Sequence, residues 1–176
     1  MKIFKFTLIA LITTTLLSCS DNSYEPELNL NNESLAGNYN ITILNIDIES
    51  SAEVAGVPVT ISNTTIHGDT FQVDVVFNAN GTYTAGGQYR VTSTVTPVAT
   101  PPVTNTEIIV FNDSGSYSVN SDENTITFMI QDQALLSGTF NVTDFNENSI
   151  SLSQQVEETV GEITSLININ ISLERI

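Results

Sequence analysis

Few side chains in this sequence can do covalent or acid–base chemistry, and their positions narrow what that chemistry is. Cys19 is the only cysteine and His67 the only histidine, and both lysines, Lys2 and Lys5, precede Cys19. A Ser–His–Asp triad or a histidine metal cluster needs more partners than one histidine offers. Schiff-base chemistry has no amine beyond Lys5, and thiolate chemistry would rest on Cys19 alone. His67 stands before Gly68-Asp69, which reads as a turn, so it is expected to be an exposed turn histidine. Asp74 lies between Val73 and Val75. Alternation puts it on the polar face of a strand, where a carboxylate serves solvation. Asp144-Phe145-Asn146-Glu147-Asn148 has the D-x-N-x-N opening of a calcium loop but lacks the glycine and the distant glutamate, and a hairpin turn accounts for it as well. Asp122-Glu123 is no stronger. These residues imply a protein that is not an enzyme and has no metal and no cofactor.

Cys19 has the better-defined setting. Lys2 and Lys5 form a short basic segment, and Phe6 to Leu17 is an apolar run too short to span a bilayer, which is the layout of a cleaved export signal. The run ends in Leu16-Leu17-Ser18-Cys19. That ending resembles the lipobox of bacterial lipoproteins, in which a small residue precedes the cysteine that is lipidated and becomes the new N-terminus. The resemblance implies cleavage after Ser18 and a membrane anchor on Cys19, which also explains an unpaired cysteine in an exported chain. Several acyl chains on one cysteine anchor firmly where a single one anchors marginally.

All 20 acidic residues follow Cys19, whereas only two of the four basic ones do, Arg90 and Arg175. Such a field repels nucleic acid and anionic headgroups. Abundant Ile, Val, Leu and Phe argue against disorder despite the charge. Ser20 to Glu33 is polar and acidic with no periodic apolar positions, and reads as a flexible tether. The organisation expected is thus a signal peptide over 1–18, a lipidated cysteine and acidic tether over 19–34, and one domain over 35–176. An acidic stretch close behind the cysteine also resembles the export tag of some Bacteroidetes lipoproteins, which implies an outer-membrane location with the cell surface favoured over the periplasmic face.

From Leu35 onward apolar residues recur every second position. Phe71, Val73, Val75 and Phe77 share one parity, as do Tyr83, Ala85, Tyr89, Val91 and Val95, and then Ile167, Ile169, Ile171 and Leu173. This period, with Thr, Val and Ile enrichment, marks half-buried antiparallel strands. The first strand switches parity between Tyr39-Ile41-Ile43 and Leu44-Ile46-Ile48, which predicts a β-bulge. Asn80-Gly81 is the strongest hairpin signal. Asn112 to Gly115, Asn120 to Asn124 and Asp144 to Asn148 read as further tight turns, and Thr96 to Pro102, rich in proline, as a longer loop at one barrel end. The fold class is all-β, an antiparallel up-and-down barrel of about eight to ten strands.

Two phrases recur. Val76-Phe77-Asn78-Ala79-Asn80-Gly81-Thr82-Tyr83 is echoed by Val110-Phe111-Asn112-Asp113-Ser114-Gly115-Ser116-Tyr117, and Gly115 to Phe128 by Gly138 to Leu152. Each reads as a hairpin, with the aromatic after Gly-Thr or Gly-Ser plugging the interior. Together with the opening Leu35-Ala36-Gly37-Asn38-Tyr39, they resemble the lipocalin-like lipoproteins of Bacteroidetes over most of Leu35 to Ile176. Lipocalins typically open with Gly-x-Trp, whose ring closes the barrel floor under a cation from the last strand. Here Tyr39 replaces the tryptophan and Arg175 stands where the cation is expected. The resemblance implies a cup that holds a small hydrophobic ligand. Phe71, Phe77, Tyr83, Tyr89, Phe111, Phe128 and Phe140 either line such a cavity or fill it. The first case is a lipid-anchored protein that captures a hydrophobic or amphipathic ligand. The second is an interaction lipoprotein with a filled barrel that contacts envelope proteins or glycans.

Overall fold

A computed structural model describes residues 28–129 and 135–176; the signal segment and Cys19 lie outside them. A single helical turn, α1 (Asn32–Leu35), precedes eight strands: β1 (Gly37–Val54), β2 (Val57–Phe77), β3 (Thr82–Pro97), β4 (Val103–Asn120), β5 (Thr125–Met129), β6 (Gly138–Phe145), β7 (Ser149–Val160) and β8 (Ile163–Arg175). Each strand pairs antiparallel with the next, and β8 returns to β1, closing the ring. The chain is therefore the all-β, up-and-down barrel that its period-two pattern dictates.

The ring has two storeys. Among the described residues β5 pairs with β4 only over Ser116–Asn120, and β6 reaches β7 only up to Ser153. Eight strands thus close the lower storey, which contains the chain termini of the barrel. Above it, a six-stranded curved sheet continues in the order β7-β8-β1-β2-β3-β4. The buried core lies almost wholly in the lower storey, where Tyr39, Val75, Phe77, Tyr83, Ile126, Phe140, Ile150, Leu152 and Leu173 are all shielded from water.

Bulges bend the long strands. β1 slips register against β8 between Ile41 and Ile43, which turns Ile43 outward and restores Leu44 to the core. Its position matches the parity switch in the sequence. β2 slips between Asp69 and Gln72, with Thr70 at a φ of 53°. There β3 runs so close to β2 that a Cβ on Gly87 would sit 2.0 Å from the Gln72 carbonyl oxygen, so only glycine fits.

Three expectations need correction. His67 is not in a turn: it lies within β2, on the outer face, because the bend at Gly68-Asp69 is taken up by the bulge without breaking the strand. Asn112 to Gly115 is not a turn either. The segment is continuous β4, paired residue by residue with Tyr83–Gly86, and tertiary pairing overrides its turn composition. The first repeated phrase is accordingly a hairpin only at its first occurrence. Finally, the ordered domain begins before Leu35. Leu30 is 6% exposed and Leu35 fully buried, and Asn31 caps α1 by accepting a 2.9 Å bond from the Ser34 amide. The tether reading therefore fails for its last residues, since a capped turn lets two leucines seal the barrel floor.

Turn chemistry elsewhere follows the sequence, except that β3 runs on through Thr96 and Pro97, paired with Asn63 and Ser62, so that the expected loop shortens to 98–102. Asn78–Gly81 closes β2 to β3, Gly81 at a φ of 80°, with Asn80 Oδ1 accepting from the Thr82 amide. The β1–β2 hairpin turns at Ala55-Gly56, both with positive φ. That pair is a weak signal in sequence and a sufficient one in structure.

Candidate functional site

The floor is built first. Gly37–Tyr39 and Arg175 are the two ends of the closing strand pair, since Tyr39 is the register partner of Arg175. The Arg175 guanidinium carbon lies 5.1 Å from the centre of the Tyr39 ring, within cation–π range. Arg175 Nη2 donates to the Ser34 carbonyl at 2.6 Å and to the Tyr39 hydroxyl, which in turn donates to the Leu35 carbonyl at 2.9 Å. Tyrosine thus does what an indole could not: its hydroxyl receives one bond and passes on another, stapling α1 beneath the barrel. Burial raises the Tyr39 pKa, against the lowering influence of Arg175. Arg175 Nε is buried without a partner among the described residues.

The seven aromatics expected inside divide into two groups. Phe77, Tyr83, Phe128 and Phe140 pack on one another at centroid distances of 5.4 to 6.3 Å, and Tyr39 and Tyr117, not in that expected set, join them. This lower cluster is a filled core, with its rings mostly edge to face. Phe71, Tyr89 and Phe111 form a second layer above it, where Tyr89 stacks on Phe71 at 5.8 Å and meets Phe111 edge-on at 5.7 Å. Phe71 and Phe111 are only half-buried. They are the base of whatever space the upper storey encloses.

Above that base the inward parity stays apolar. Ile46 faces Ile66 and Ile169 across the sheet, and Ile48 faces Thr64 and Ile167, with Val95 beyond Thr64 and Val156 beyond Ile167. All these residues are half-buried or exposed. The same parity brings three carboxylates to the inner face. Asp113 is the register partner of Ala85, Glu107 of Val91, and Glu158 of Ser165. Asp113 accepts a 3.1 Å bond from the Tyr83 hydroxyl, which also bonds the Leu136 carbonyl at 3.3 Å. Burial, then the Asp113 charge and hydrogen bond, push the Tyr83 pKa far above its ordinary value. Sequence reading missed Asp113 and Glu107. The alternation that would have exposed them was masked by the apparent turn at Asn112–Gly115.

A shallow pocket of about 590 Å³ opens between β1 and β2, lined by Asn40, Ile41, Thr42, Phe71, Gln72, Val73 and Asp74. It exists because no residue of 41–43 pairs with any of 69–73. Asp74 stands on the outer face beside Asn40 and Gly86, as alternation requires. His67 Nδ1 is 2.7 Å from Asn45 Oδ1 on the same outer surface. Asp144 is engaged within the β6–β7 turn, where Asn146 Nδ2 donates to its carboxylate at 3.0 Å and Asn146 Oδ1 accepts from the Asn148 and Ser149 amides.

The described outer wall is mostly polar, with Asn45, Asp74, Thr92, Thr127, Asn141 and Asn170 pointing outward from six different strands and Ile43, Ile108 and Val110 as apolar exceptions. Cross-strand Thr pairs such as Thr94–Thr104 and Thr127–Thr139 hydrogen-bond along it. A barrel that crosses a membrane presents an apolar band outward and polar groups inward; here the two faces are reversed.

No family model matches the chain, and no curated protein does. Among solved structures, two crystal structures of Ail, the attachment invasion locus protein of Yersinia pestis, are similar to it at 7% identity. One of them is in complex with the heparin analogue sucrose octasulfate. The alignments cover 81% of this chain and 100% of each Ail chain, with TM-scores of 0.26 and 0.25.

Proposed function

We propose that this chain is a lipid-anchored, non-enzymatic protein of the outer membrane, displayed at the cell surface, whose lipocalin-like barrel captures a small hydrophobic or amphipathic ligand in its upper storey. The observation that carries this reading is the row of inward aliphatic side chains, Ile46, Ile48, Ile66, Ile167 and Ile169, left partly exposed above a core that is already full. Folding alone gives no reason to keep that face apolar. A ligand would complete its burial, at about 25 cal/mol per Å² of apolar surface removed from water.

The floor supports a particular orientation. The chain enters the barrel through Leu30 and α1, below Tyr39 and Arg175. An anchor on Cys19 would therefore hold the filled storey towards the membrane and turn the open storey away from it.

Incubating residues 19–176 carrying Cys19→Ser with envelope extract, followed by native mass spectrometry, tests capture. A retained small-molecule mass is expected, and it should disappear in Ile48→Asp. No retained mass, or one indifferent to that change, would remove the reading. Cys19→Ala in cells tests the anchor: the protein should leave the membrane fraction, and unchanged fractionation would refute lipidation.

A second reading has its own support. Ile108 and Val110 point outward from β4 and are 66% and 74% exposed. A protein or glycan partner in the envelope would then use the outer wall, with the barrel as a filled scaffold. Ile108→Ser with Val110→Ser should abolish partner capture under this reading and leave small-molecule retention untouched.

A further inference from the structure

Only two cations follow Cys19, and both are engaged. Arg90 holds Asp69 through two bonds of 2.7 and 2.9 Å on the outer wall, and Arg175 is committed to Ser34 and Tyr39 at the floor. Nothing on the inner face of the upper storey carries positive charge. Among the described residues its charged groups are Glu107 on β4, Glu158 on β7 and Asp113 at the base. Their placement is informative. β4 above Gly115 and β7 above Ser153 are the two strands that find no strand partner in β5 and β6 among the described residues, and Leu136 of the β5–β6 connection is buried below them. The apolar residues line the middle of the trough, on β1, β2 and β8, and the exposed carboxylates stand on its two margins.

We infer that the upper storey selects a cationic amphiphile, its apolar tail along the isoleucines of β1, β2 and β8 and its positive head between Glu107 and Glu158. This rests on the capture reading above and assigns its ligand class. An anionic head, such as a fatty-acid carboxylate, would enter a site with no cation to receive it. It would also meet two like charges beside a low-dielectric surface, where Coulomb terms are larger than in water. A neutral head meets neither gain nor penalty. The site therefore discriminates by repulsion as well as by attraction.

Three amphiphiles with the same tail make the test: decyltrimethylammonium, decyl maltoside and decanoate, each below its micelle concentration. Each displaces the neutral fluorophore N-phenyl-1-naphthylamine from residues 19–176 carrying Cys19→Ser. At low salt the cation should bind about tenfold more tightly than decanoate, with the maltoside between them, and high salt should compress the series. Glu107→Gln with Glu158→Gln should reduce the preference to about threefold or less. Asp47→Asn with Glu49→Gln, which removes equal charge from the outer wall, should leave it intact. Equal or tighter decanoate binding overturns the inference. So does an equal loss of preference in the two double variants, because the effect would then belong to net charge. If decyl maltoside fails to displace the fluorophore, the capture reading itself falls. Maltoside binding without a cation preference removes only the assignment of ligand class.

Discussion

The lower and upper storeys are made from the same strands with the same alternation, yet only the lower one is a core. Below, inward positions hold Tyr39, Phe77, Tyr83, Tyr117, Phe128 and Phe140, whose rings meet across a closed ring of eight strands. Above, they hold aliphatics, Ser93, Thr64 and carboxylates, on six strands whose outer two, β4 and β7, have no further strand partner among the described residues. Closure and side-chain volume change together. Large rings fill a barrel of this strand number, and where they stop, the wall stops closing too. Period two thus says that a face is turned inward, and says nothing about whether anything meets it there.

Truncation should separate the storeys most sharply. Phe140→Ala or Phe77→Ala removes a ring from a filled space, and each should cost about 3–5 kcal/mol in urea unfolding. Ile48→Ala or Ile167→Ala removes methyl groups that water already reaches, and should cost about 1 kcal/mol or less. Comparable losses from the two sets would mean that the upper storey is packed in solution, and the division into core and binding face would collapse.

The floor clamp comes next in size. Tyr39→Phe deletes the hydroxyl that links Arg175 to the Leu35 carbonyl and leaves buried groups unsatisfied. A loss of about 1–3 kcal/mol is expected, with hydrogen exchange rising first at 31–36. Ile46→Ala, one storey up, should leave exchange at those amides unchanged. If exchange rose equally in both variants, α1 would be reporting global stability and no local staple.

Much of this was legible in the sequence. The barrel, the bulge near Ile41–Leu44 and the inward aromatics follow from parity, and the pairing of Tyr39 with Arg175 is what the resemblance to lipocalins implied. What misled was local chemistry acting inside long strands. Asn112-Asp113-Ser114-Gly115 has turn composition, but β3 supplies it with partners, and Asp113 finds the Tyr83 hydroxyl. Gly68-Asp69 similarly marks a bulge and no turn. The ordered end of the tether went unread because Leu30 and Leu35 show no strand period. Their signal was the capping pair Asn31 and Ser34, which a search for alternation passes over. Storey heights were not legible at all, since they depend on where β5 and β6 end.

Alkaline titration addresses the buried tyrosines, three in the lower storey and Tyr89, likewise raised by burial, in the layer resting on it. Burial raises the pKa values of Tyr39, Tyr83 and Tyr117, that of Tyr117 to about 12, from an ordinary value of 10.0. The unfolded chain therefore ionises before the folded one. The stability these hydroxyls contribute is complete below pH 10.0 and is lost as pH rises towards and through about 12. Tyrosinate absorbance should rise late and together with loss of near-ultraviolet dichroism. Tyr117→Phe should blunt the alkaline decline, whereas the Glu107 and Glu158 variants of the upper storey should leave it in place.

The smallest effect is expected on the outer wall. Arg90 and Asp69 form the one ion pair among the described residues, bidentate and beside the β2 bulge. Such geometry invites the view that it pins the bulge. Both groups lie in solvent, however, and the Asp69 pKa is lowered by the Arg90 bond, then by Thr70, in surroundings that water and salt screen. The bulge has a firmer cause in Gly87, whose missing side chain lets the Gln72 carbonyl approach. Arg90→Gln should therefore leave the melting temperature unchanged at physiological salt, and Gly87→Ala should lower it clearly. The reverse ranking would show that the outer wall, and not the close approach of β2 and β3, sets the bend at which the filled storey gives way to the open one.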